Sequence, residues 1–401
     1  MAKRKIQKPT RFERMYKVWD YLRKNTDRRH PTSIAKMRKD EDINAYIGDK
    51  ETINRLLKDM ANIMNLEDGG SDYKPEAEWR LYFDDFKKFY GDKERYERDD
   101  SDEDDSYIAN VMRIKNLYYN RTFSEKEVDS IIEGIMATRT LDSKSAQELV
   151  RKVEDNMTTV FYKRTPRHIC KVQEPELADR ELLKDNLAII QKAIDDNVRI
   201  QFRFNGYSYE KKLEPVREES DELSPYYIVA SGGKYYLLAA KEYEGYKPNM
   251  SIWRIDLMTD IEIPGRNDRL HIKGIPRIPK KDVANLPEKW SEDFQLKHLN
   301  MSFDKPVPVT LRIKSEKCGD NPKKRVRPGY TFLHDWFGDS FTYIRTETKP
   351  PYDDIVRVEC SPYGMAHWAL QYSELVEVLE PESLREDIKI KIKALNEKYS
   401  L

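Results

Sequence analysis

Cysteine is scarce in this sequence, and its three cysteines are far apart. Cys170, Cys318 and Cys360 form neither a CxxC pair nor a disulfide framework, so we expect ordinary packing residues in a reducing compartment. Long apolar runs are missing too: no window offers the roughly 18 apolar residues of a membrane span. The start "MAKRKIQKPT" is polar and basic, unlike a secretory leader. We therefore expect a cytoplasmic protein that does not enter a membrane.

Catalytic signatures are also missing. The six histidines are scattered and show no HxxxH or other metal-ligand spacing. The sequence contains no P-loop, GxGxxG or GxSxG motif. We expect no catalytic residue, no metal and no cofactor, and hence a protein that is not an enzyme.

Net charge is absent, but local charge is not. The chain has 72 basic and 72 acidic side chains, so only their distribution is informative. Between Met1 and Lys39 there are 14 lysines and arginines against three acidic residues, an excess of 11 positive charges. Such an excess favours a polyanionic partner, and the alternative is a merely solvated terminus.

The basic segment carries three helix patterns. Phe12, Met15, Trp19 and Leu22 form one apolar stripe over 11–25. A short helix follows "HPTS", capped by Thr32 or Ser33, and a third follows Gly48 with Asp49 as its N-cap. Three helices in this order are typical of a helix-turn-helix.

The third helix is the predicted DNA reader. Its apolar positions lie on one side, and its polar positions face outward, where Lys and Arg suit phosphates and Asn or Arg suit base edges. The stretch "NLEDGGSDYKPEAEWRLYF" predicts a hairpin wing with Gly69 and Gly70 in its turn and Tyr73 or Lys74 near its tip. The alternative is an ordinary solvated helix face. The predicted DNA contacts are Lys50, Thr52, Asn54, Arg55 and Lys58.

A helical connector follows an acidic run. The run "ERDDSDEDD" at 97–105 predicts a linker without a core. Ser124 and Glu127 predict a capping box ahead of an apolar helix, and another helix is predicted from Ser143 to Asn156. We expect no functional site in this region.

The pattern changes from helix to strand after a helix at 178–195. "VRIQFRFNGYSYEKKLEPV" predicts two strands about an Asn205-Gly206 turn, and "PYYIVASGGKYYLLAA" a second hairpin about Gly232-Gly233. "SIWRIDLMTDIEI" predicts a fifth strand, with Arg254 and Asp256 on one face. One helix and five short strands favour a small SH3-like barrel.

These strands carry a family resemblance. The unit resembles the WYL domain, with Tyr235-Tyr236-Leu237 at the tripeptide and Trp253-Arg254-Ile255-Asp256 at the arginine motif. Tyr235 stands where the family usually has Trp, and Leu257 where a second basic residue is common. With the helix-turn-helix, the connector and the C-terminal region, nearly the whole chain resembles bacterial WYL-domain transcriptional regulators.

The resemblance implies an α+β multidomain protein with four parts. They are a winged helix-turn-helix DNA-binding domain at 1–90, an acidic linker and helical connector at 91–177, a WYL domain with an SH3-like β-barrel at 178–265, and a C-terminal α+β extension at 266–401.

The resemblance also implies a sensor. The WYL barrel of such regulators is regarded as binding nucleotides or nucleic-acid strands, with Tyr236 and Arg254 in the groove. Independently, a guanidinium binds phosphate in bidentate fashion and rings stack on bases. The alternative is that Arg254 is only a structural partner of Asp256. The predicted ligand site comprises Arg203, Ser224, Tyr226, Tyr236 and Arg254.

The C-terminal region predicts alternating strands and helices, with strands at "VPVTLRIK", "YTFLHDWF", "SFTYIRTE", "DIVRVECS" and "LVEVLE" and helices at "YGMAHWALQY" and after Pro381. The cluster Lys323, Lys324, Arg325 and Arg327 is either a phosphate patch or a solvated loop.

We thus expect a regulator that binds duplex DNA, responds to a nucleotide or single-stranded nucleic-acid effector, and forms a homodimer, as palindromic sites require. The competing hypothesis is a single-stranded RNA- or DNA-binding accessory of a phage-defence or CRISPR effector.

Overall fold

The computed structural model describes residues 8–67, 72–84, 86, 114–138, 141–164, 180–314, 317–318, 321–325 and 329–399. The chain forms two compact units, an N-terminal unit (Met1–Pro175) and a C-terminal unit (Glu176–Leu401). The acidic run at 97–105 lies outside the described residues. Within the described ranges, no helix is long and apolar enough to cross a membrane.

Four helices begin the N-terminal unit, each capped by a short polar side chain. They are α1 (Arg11–Asn25), α2 (Ile34–Met37), α3 (Glu41–Ile47) and α4 (Lys50–Asn65). The structure confirms the predicted caps Ser33 and Asp49, and Thr10 with Glu13 adds a capping box at α1. Helix α3 was not predicted, because its seven residues give too short an apolar pattern.

A tight turn joins α3 to α4. Gly48 has a φ of 68°, which favours glycine, and Asp49 then caps α4. The predicted apolar side of α4 is confirmed, since Ile53, Leu57 and Met60 are fully buried in one core with side chains of α1 and α3.

The predicted wing is only partly as expected. The segment after α4 folds back through a bridge between Leu66 and Tyr73, with Gly69 and Gly70 outside the described residues. The prediction that Tyr73 lies near the tip was wrong, because its ring packs on Trp79 and Phe86. The next strand, β1 (Leu81–Tyr82), pairs with β2 (Tyr118–Tyr119), which comes from much later in the chain.

Asn65 connects α4 to β1. Its side chain is fully buried, and its Nδ2 donates to the Leu81 carbonyl at 2.7 Å. Its Oδ1 accepts from the backbone N–H groups of Arg80 and Leu81 at 2.9 and 3.1 Å. The side-chain amide thus makes the hydrogen bonds to β1 that the backbone of a neighbouring strand would make.

Two helices complete the N-terminal unit. They are α5 (Glu125–Ala137), with the predicted capping box of Ser124 and Glu127, and α6 (Ser143–Met157). Val128 and Ile132 of α5 pack against Val150 and Val153 of α6.

The C-terminal unit begins with α7 (Arg180–Asp196) and one antiparallel sheet of six strands. The strands are β3 (Ile200–Tyr207), β4 (Leu213–Pro215), β5 (Asp221–Ser231), β6 (Lys234–Tyr243), β7 (Tyr246–Arg254) and β8 (Met258–Glu262). The order is β4-β3-β5-β6-β7, and β8 also pairs with β3. Within the continuously described range 180–314, no strand pairing joins β7 to β8 or β4, so the curled sheet does not close into a barrel.

The predicted turn at Asn205-Gly206 was wrong. Strand β3 runs through both residues, and the chain reverses at Ser208–Lys212, where the Ser208 N–H donates to the Lys212 carbonyl. Asn205 is buried and donates to the Leu257 carbonyl at 3.0 Å, so its amide is used inside the fold. By contrast, the Gly232-Gly233 hairpin is confirmed, with φ values of 54° and 73°.

The prediction of one continuous fifth strand was also wrong. A one-turn 3-10 helix at Ile255–Leu257 separates β7, which pairs with β6, from β8, which pairs with β3. Arg254 is therefore the last residue of β7, while Asp256 lies in the helical turn.

Both faces of the sheet are covered. On one face Ile190 and Ala193 of α7 pack on Phe202, Leu237 and other strand residues. On the other face the segment 276–301 packs on the sheet, with buried Ile278, Val283, Leu286, Phe294 and Met301. That segment includes α8 (Phe294–Lys297). The predicted boundary at 265/266 thus falls between a sheet and the segment that covers it.

A second sheet of four strands, a separate pair of strands (β10 and β11) and three helices follow. The strands are β9 (Val307–Ile313), β10 (Lys317–Cys318), β11 (Asn321–Arg325), β12 (Thr342–Thr346), β13 (Asp354–Cys360) and β14 (Val376–Glu380), and the helices are α9 (Thr331–Phe337), α10 (Pro362–Gln371) and α11 (Glu382–Tyr399). Antiparallel pairing gives the order β12-β13-β9-β14. The prediction of a strand at "YTFLHDWF" was wrong, because Leu333 and Phe337, four residues apart, are the buried pair of a helix.

Candidate nucleic-acid interfaces

The outer surface of α4 holds four of the five predicted DNA contacts. Lys50 and Arg55 are exposed, and Thr52 and Lys58 are half-buried. Arg55 forms an i,i+4 ion pair with Glu51 at 2.8 Å, in which both side chains are about half exposed. Such a pair holds the guanidinium weakly, so it can exchange Glu51 for a phosphate.

The prediction that Asn54 faces outward was wrong, because its side chain has no exposed surface. Steps of about 100° per residue put Asn54 beside Ala61 and Asn65, which are also fully buried. The buried arc of α4 is wider than its apolar residues alone indicate, and Asn54 cannot reach a base edge in this structure.

Two arginines outside the predicted DNA contacts hold the turn before α4. Arg14 Nη1 donates to the Tyr46 carbonyl at 3.3 Å, and Arg38 Nη2 donates to the Gly48 carbonyl at 3.1 Å. Hydrogen bonds from Thr52 first, and then these two positive charges, lower the pKa of Asp49. The cap therefore stays ionised and keeps the start of α4 fixed.

Arg254 is held by Asp256. Its Nε donates to Oδ1 at 3.1 Å and its Nη2 to Oδ2 at 2.5 Å, a bidentate pair. Asp256 is almost fully buried and Arg254 is partly exposed. Burial alone would lower the pKa of Arg254, but the hydrogen bonds and charge of Asp256 outweigh it and raise that pKa. This geometry is the one expected if Arg254 is a structural partner of Asp256.

Ser224 and Tyr226 do not face a ligand, contrary to the prediction. Both are buried, because the covering segment 276–301 binds them. The Tyr226 hydroxyl donates to the Ile278 carbonyl at 2.8 Å, and Ser224 Oγ accepts from the Ile278 N–H at 3.0 Å. Their polar atoms are used inside the fold.

Tyr236 and Arg203 are more accessible. Tyr236 lies directly opposite Arg254 across β6 and β7, and burial raises the pKa of its phenol. Arg203, about half exposed, lies 3.9 Å from Asp260. The structure thus brings Tyr236 and Arg254 together, while the pairing of Arg203 with Thr259 puts it at the β3–β8 pair.

The predicted basic patch at 323–327 is only partly described. Lys323, Lys324 and Arg325 lie on β11, which pairs with β10, so the loop alternative is wrong for these three. Arg327 lies outside the described residues.

A groove that the sequence analysis missed lies beside the β6–β7 hairpin. It has a volume of about 790 Å³, and Arg217, Lys241, Tyr243, Tyr246, Lys247 and Trp253 are among its lining residues. None of the predicted ligand residues lines it. In the sequence, this groove could have been predicted from the run Lys241 to Lys247, in which two lysines flank two tyrosines.

The described part of the chain shows no cluster of metal-ligand side chains, and the thiol of Cys360 is buried. No group of three or more His, Cys, Asp or Glu side chains there is placed to hold a metal ion. Cys360 is fully buried in the second sheet, and burial raises the pKa of its thiol to about 12. It is a packing residue there.

Comparison with known proteins gives weak likenesses. No family model and no curated protein matches the chain. Among solved structures, proteasome accessory factor B/C (PafBC) of Arthrobacter aurescens is 17% identical over 74% of this chain, with a TM-score of 0.24. The chain spans 43% of that structure. A CRISPR Cas-related protein is 12% identical over 92% of this chain and 93% of its own, with a TM-score of 0.29. Neither likeness is close enough to assign a function to this chain.

Proposed function

We propose that the chain is a cytoplasmic transcription regulator of the WYL type and not an enzyme. It binds duplex DNA through α4 and responds to a nucleotide or nucleic-acid strand bound by its C-terminal unit, where the curled sheet corresponds to the SH3-like barrel of the resemblance. The observation that carries the proposal is the surface of α4, a capped helix after a tight turn whose exposed cations lie opposite its buried stripe.

The DNA-binding step follows from these contacts. Asp49, Arg14 and Arg38 fix the start of α4, so the helix can be presented as a rigid element. Lys50, Arg55 and Lys58 then supply positive charge for phosphates, and most of the affinity of such an interface comes from counterion release. Thr52 donates its backbone N–H to the capping carboxylate of Asp49, so only its half-buried side chain is left for a DNA contact.

We expect neutralising α4 to weaken duplex binding strongly. The double variant Arg55→Gln/Lys58→Gln should lose about tenfold or more in affinity near physiological salt, and the slope of log affinity against log salt should fall by about 2, because two phosphate contacts are removed. Fluorescence anisotropy of a labelled duplex across a salt series measures both quantities.

The matched control is Arg151→Gln/Lys152→Gln on α6, which removes the same charge from exposed positions of the same unit. It should leave affinity and slope close to those of the unmodified chain. Equal losses in both variants would mean that α4 has no special role.

The accessory hypothesis stays the second candidate, because the groove beside the β6–β7 hairpin is aromatic and basic, which suits a single strand. An accessory protein would bind a strand and ignore the duplex.

We still propose Arg254 as an effector contact. The hydrogen bonds of its guanidinium to Asp256 use Nε and Nη2, and its Nη1 donates no hydrogen bond within the range 180–314, all of which is described.

We also propose a homodimer formed through α11. Leu384 is buried and Ile388 packs on the core, and the same stripe continues through Ile392, Leu395 and Tyr399, whose side chains are 51%, 44% and 68% exposed. The first half of α11 (382–390) carries Glu382, Glu386 and Asp387 against Arg385 and Lys389, a net charge of −1, and the second half (391–399) carries Lys391, Lys393 and Lys398 against Glu397, a net charge of +2. Antiparallel pairing with a second copy places opposite charges together around a shared apolar stripe.

The variant Ile392→Glu/Leu395→Glu is expected to convert a dimer into a monomer, because it puts four carboxylates into the paired stripe. Light scattering coupled to size exclusion measures the mass. The control Ile390→Glu changes a residue that is 66% exposed on the opposite side of the helix, and it should stay dimeric. A monomeric unmodified chain would exclude this pairing.

A further inference from the structure

The groove beside the β6–β7 hairpin is lined by β7 from Asn249 to Trp253, so side chains from both faces of this edge strand contribute to it. Neither Tyr236 nor Arg254 is among its lining residues, so the groove is distinct from that predicted ligand pair. With a volume of about 790 Å³ it falls in the size range of ligand pockets.

Aromatic rings line this groove, and one of them is held in place while two are exposed. Trp253 forms its wall, held edge-on by Phe204 at a centroid distance of 5.0 Å and by a hydrogen bond from Nε1 to Ser251 Oγ at 2.8 Å. Tyr243 and Tyr246 are directly opposite each other at the end of the hairpin, and they are 61% and 78% exposed. A fixed indole and two open phenol rings offer stacking faces to planar groups.

The charges of the groove have one sign. Arg217, Lys241 and Lys247 line it, and its lining residues, which all lie in the fully described range 180–314, include no carboxylate. Buried Asp221 holds Arg217 at 2.9 Å and Lys241 at 2.7 Å from outside the lining, so two of the cations are fixed in place. One buried carboxylate against three cations leaves the groove positive.

Two cations of the groove lie over two of its rings. Arg217 lies over the Trp253 ring, 5.8 Å from its centroid, and Lys241 lies 5.4 Å from the centroid of Tyr243. A ligand that stacks on a ring therefore has a cation close beside it. Bases joined by phosphates have this composition, and proteins that bind single strands combine stacking rings with a positive groove.

We propose that this groove binds a short single strand of nucleic acid, with bases on Tyr243, Tyr246 and Trp253 and phosphates on Arg217, Lys241 and Lys247. The proposal rests on the proposed function in naming where the C-terminal unit binds its strand. It differs from the predicted site in using the residues that line the groove and not Tyr236 and Arg254. Because every base has a stacking face, this contact tolerates different sequences.

The test is anisotropy of a labelled single strand of about ten nucleotides, a length within the usual site size, with the full chain. Tyr243→Ala and Tyr246→Ala should each weaken binding about tenfold, and the double variant about a hundredfold, because each removes one stacking face. Lys247→Gln should reduce the salt slope by roughly 0.7, the value for one phosphate contact on a single strand.

The controls are Tyr209→Ala, which removes a ring that is 94% exposed on the β3–β4 connection, and Lys281→Gln, an exposed lysine of the covering segment. Both should bind the strand like the unmodified chain. All these positions are exposed, so loss of folding does not explain a loss of binding.

Several results would overturn the proposal. They are absence of strand binding at low salt, strand binding that the tyrosine and lysine variants do not change, and adenosine monophosphate binding as tightly as the strand. A change of oligomeric mass in Tyr246→Ala without a change in strand binding would assign the groove to a second copy. Duplex binding by the same variants, and strand binding by Arg55→Gln/Lys58→Gln, should stay unchanged, so failure here and failure of the regulator proposal are separate results.

Discussion

Replacing Arg254 with alanine is expected to destabilise the C-terminal unit by about 3 kcal/mol, because it leaves the buried carboxylate of Asp256 without its partner. The two hydrogen bonds of the pair are both lost, and the vacated space is too close to the sheet for full solvation of the carboxylate. Hydrogen–deuterium exchange of the full chain should show lost protection in β6, β7 and β8. Peptides of α1 to α4 should keep theirs.

A double-mutant cycle with Asp256→Asn identifies the cause. Asparagine carries no charge, so Arg254→Ala/Asp256→Asn should be less destabilised than the sum of the single variants, with a coupling of about 2 kcal/mol. Arg203→Ala is the matched control, because its guanidinium is half exposed and 3.9 Å from Asp260, and it should cost at most about 0.5 kcal/mol. Additive effects in the cycle would mean that the pair does not stabilise the fold and that Arg254 is kept for another purpose.

Replacing Asn65 with leucine is expected to destabilise the N-terminal unit by about 3–4 kcal/mol. Leucine fits the volume but leaves the Leu81 carbonyl and two backbone N–H groups without their partner, and each such buried group costs about 1–3 kcal/mol. Exchange of amide protons in β1 and β2 should accelerate first. Asn44→Leu, at an exposed position of α3, should change stability by at most about 0.5 kcal/mol.

Asn65→Asp separates the donor from the acceptor. An aspartate keeps the two accepted hydrogen bonds but, when ionised, cannot donate to the Leu81 carbonyl. Burial should raise its folded pKa above the unfolded value, so the stability of this variant should increase as pH falls from about 7 to about 5. A destabilisation independent of pH would show that the carbonyl finds another donor.

Sequence patterns predicted local structure well where a short segment determines it. Asp49, Ser33 and the Ser124–Glu127 box cap helices because capping needs only neighbouring residues. The Gly232-Gly233 turn was predicted correctly for the same reason, because a tight turn needs only its own residues. Asn205-Gly206 has an equally good turn composition, yet its amide binds Leu257, a residue 52 positions away, and that contact has no local signature.

The candidate sites were harder to predict, because burial depends on the rest of the chain. Ser224 and Tyr226 have the chemistry of ligand residues, but Ile278 from a later segment binds both. Asn54 is polar and still lies on the buried arc of α4. The groove brings together Arg217, Lys241 and Trp253 from three separate segments, so only the fold reveals their proximity.

The covering of both sheet faces also determines when this region can fold during synthesis. Asn186 of α7 donates to the carbonyls of Ile255 and Met258, and β3 pairs with β8, so the first face is incomplete until residue 262 has left the ribosome. The second face needs the chain as far as Met301. At about 5–20 residues per second, the incomplete sheet exposes apolar side chains for several seconds, and transiently exposed apolar surface of this kind is what chaperones protect.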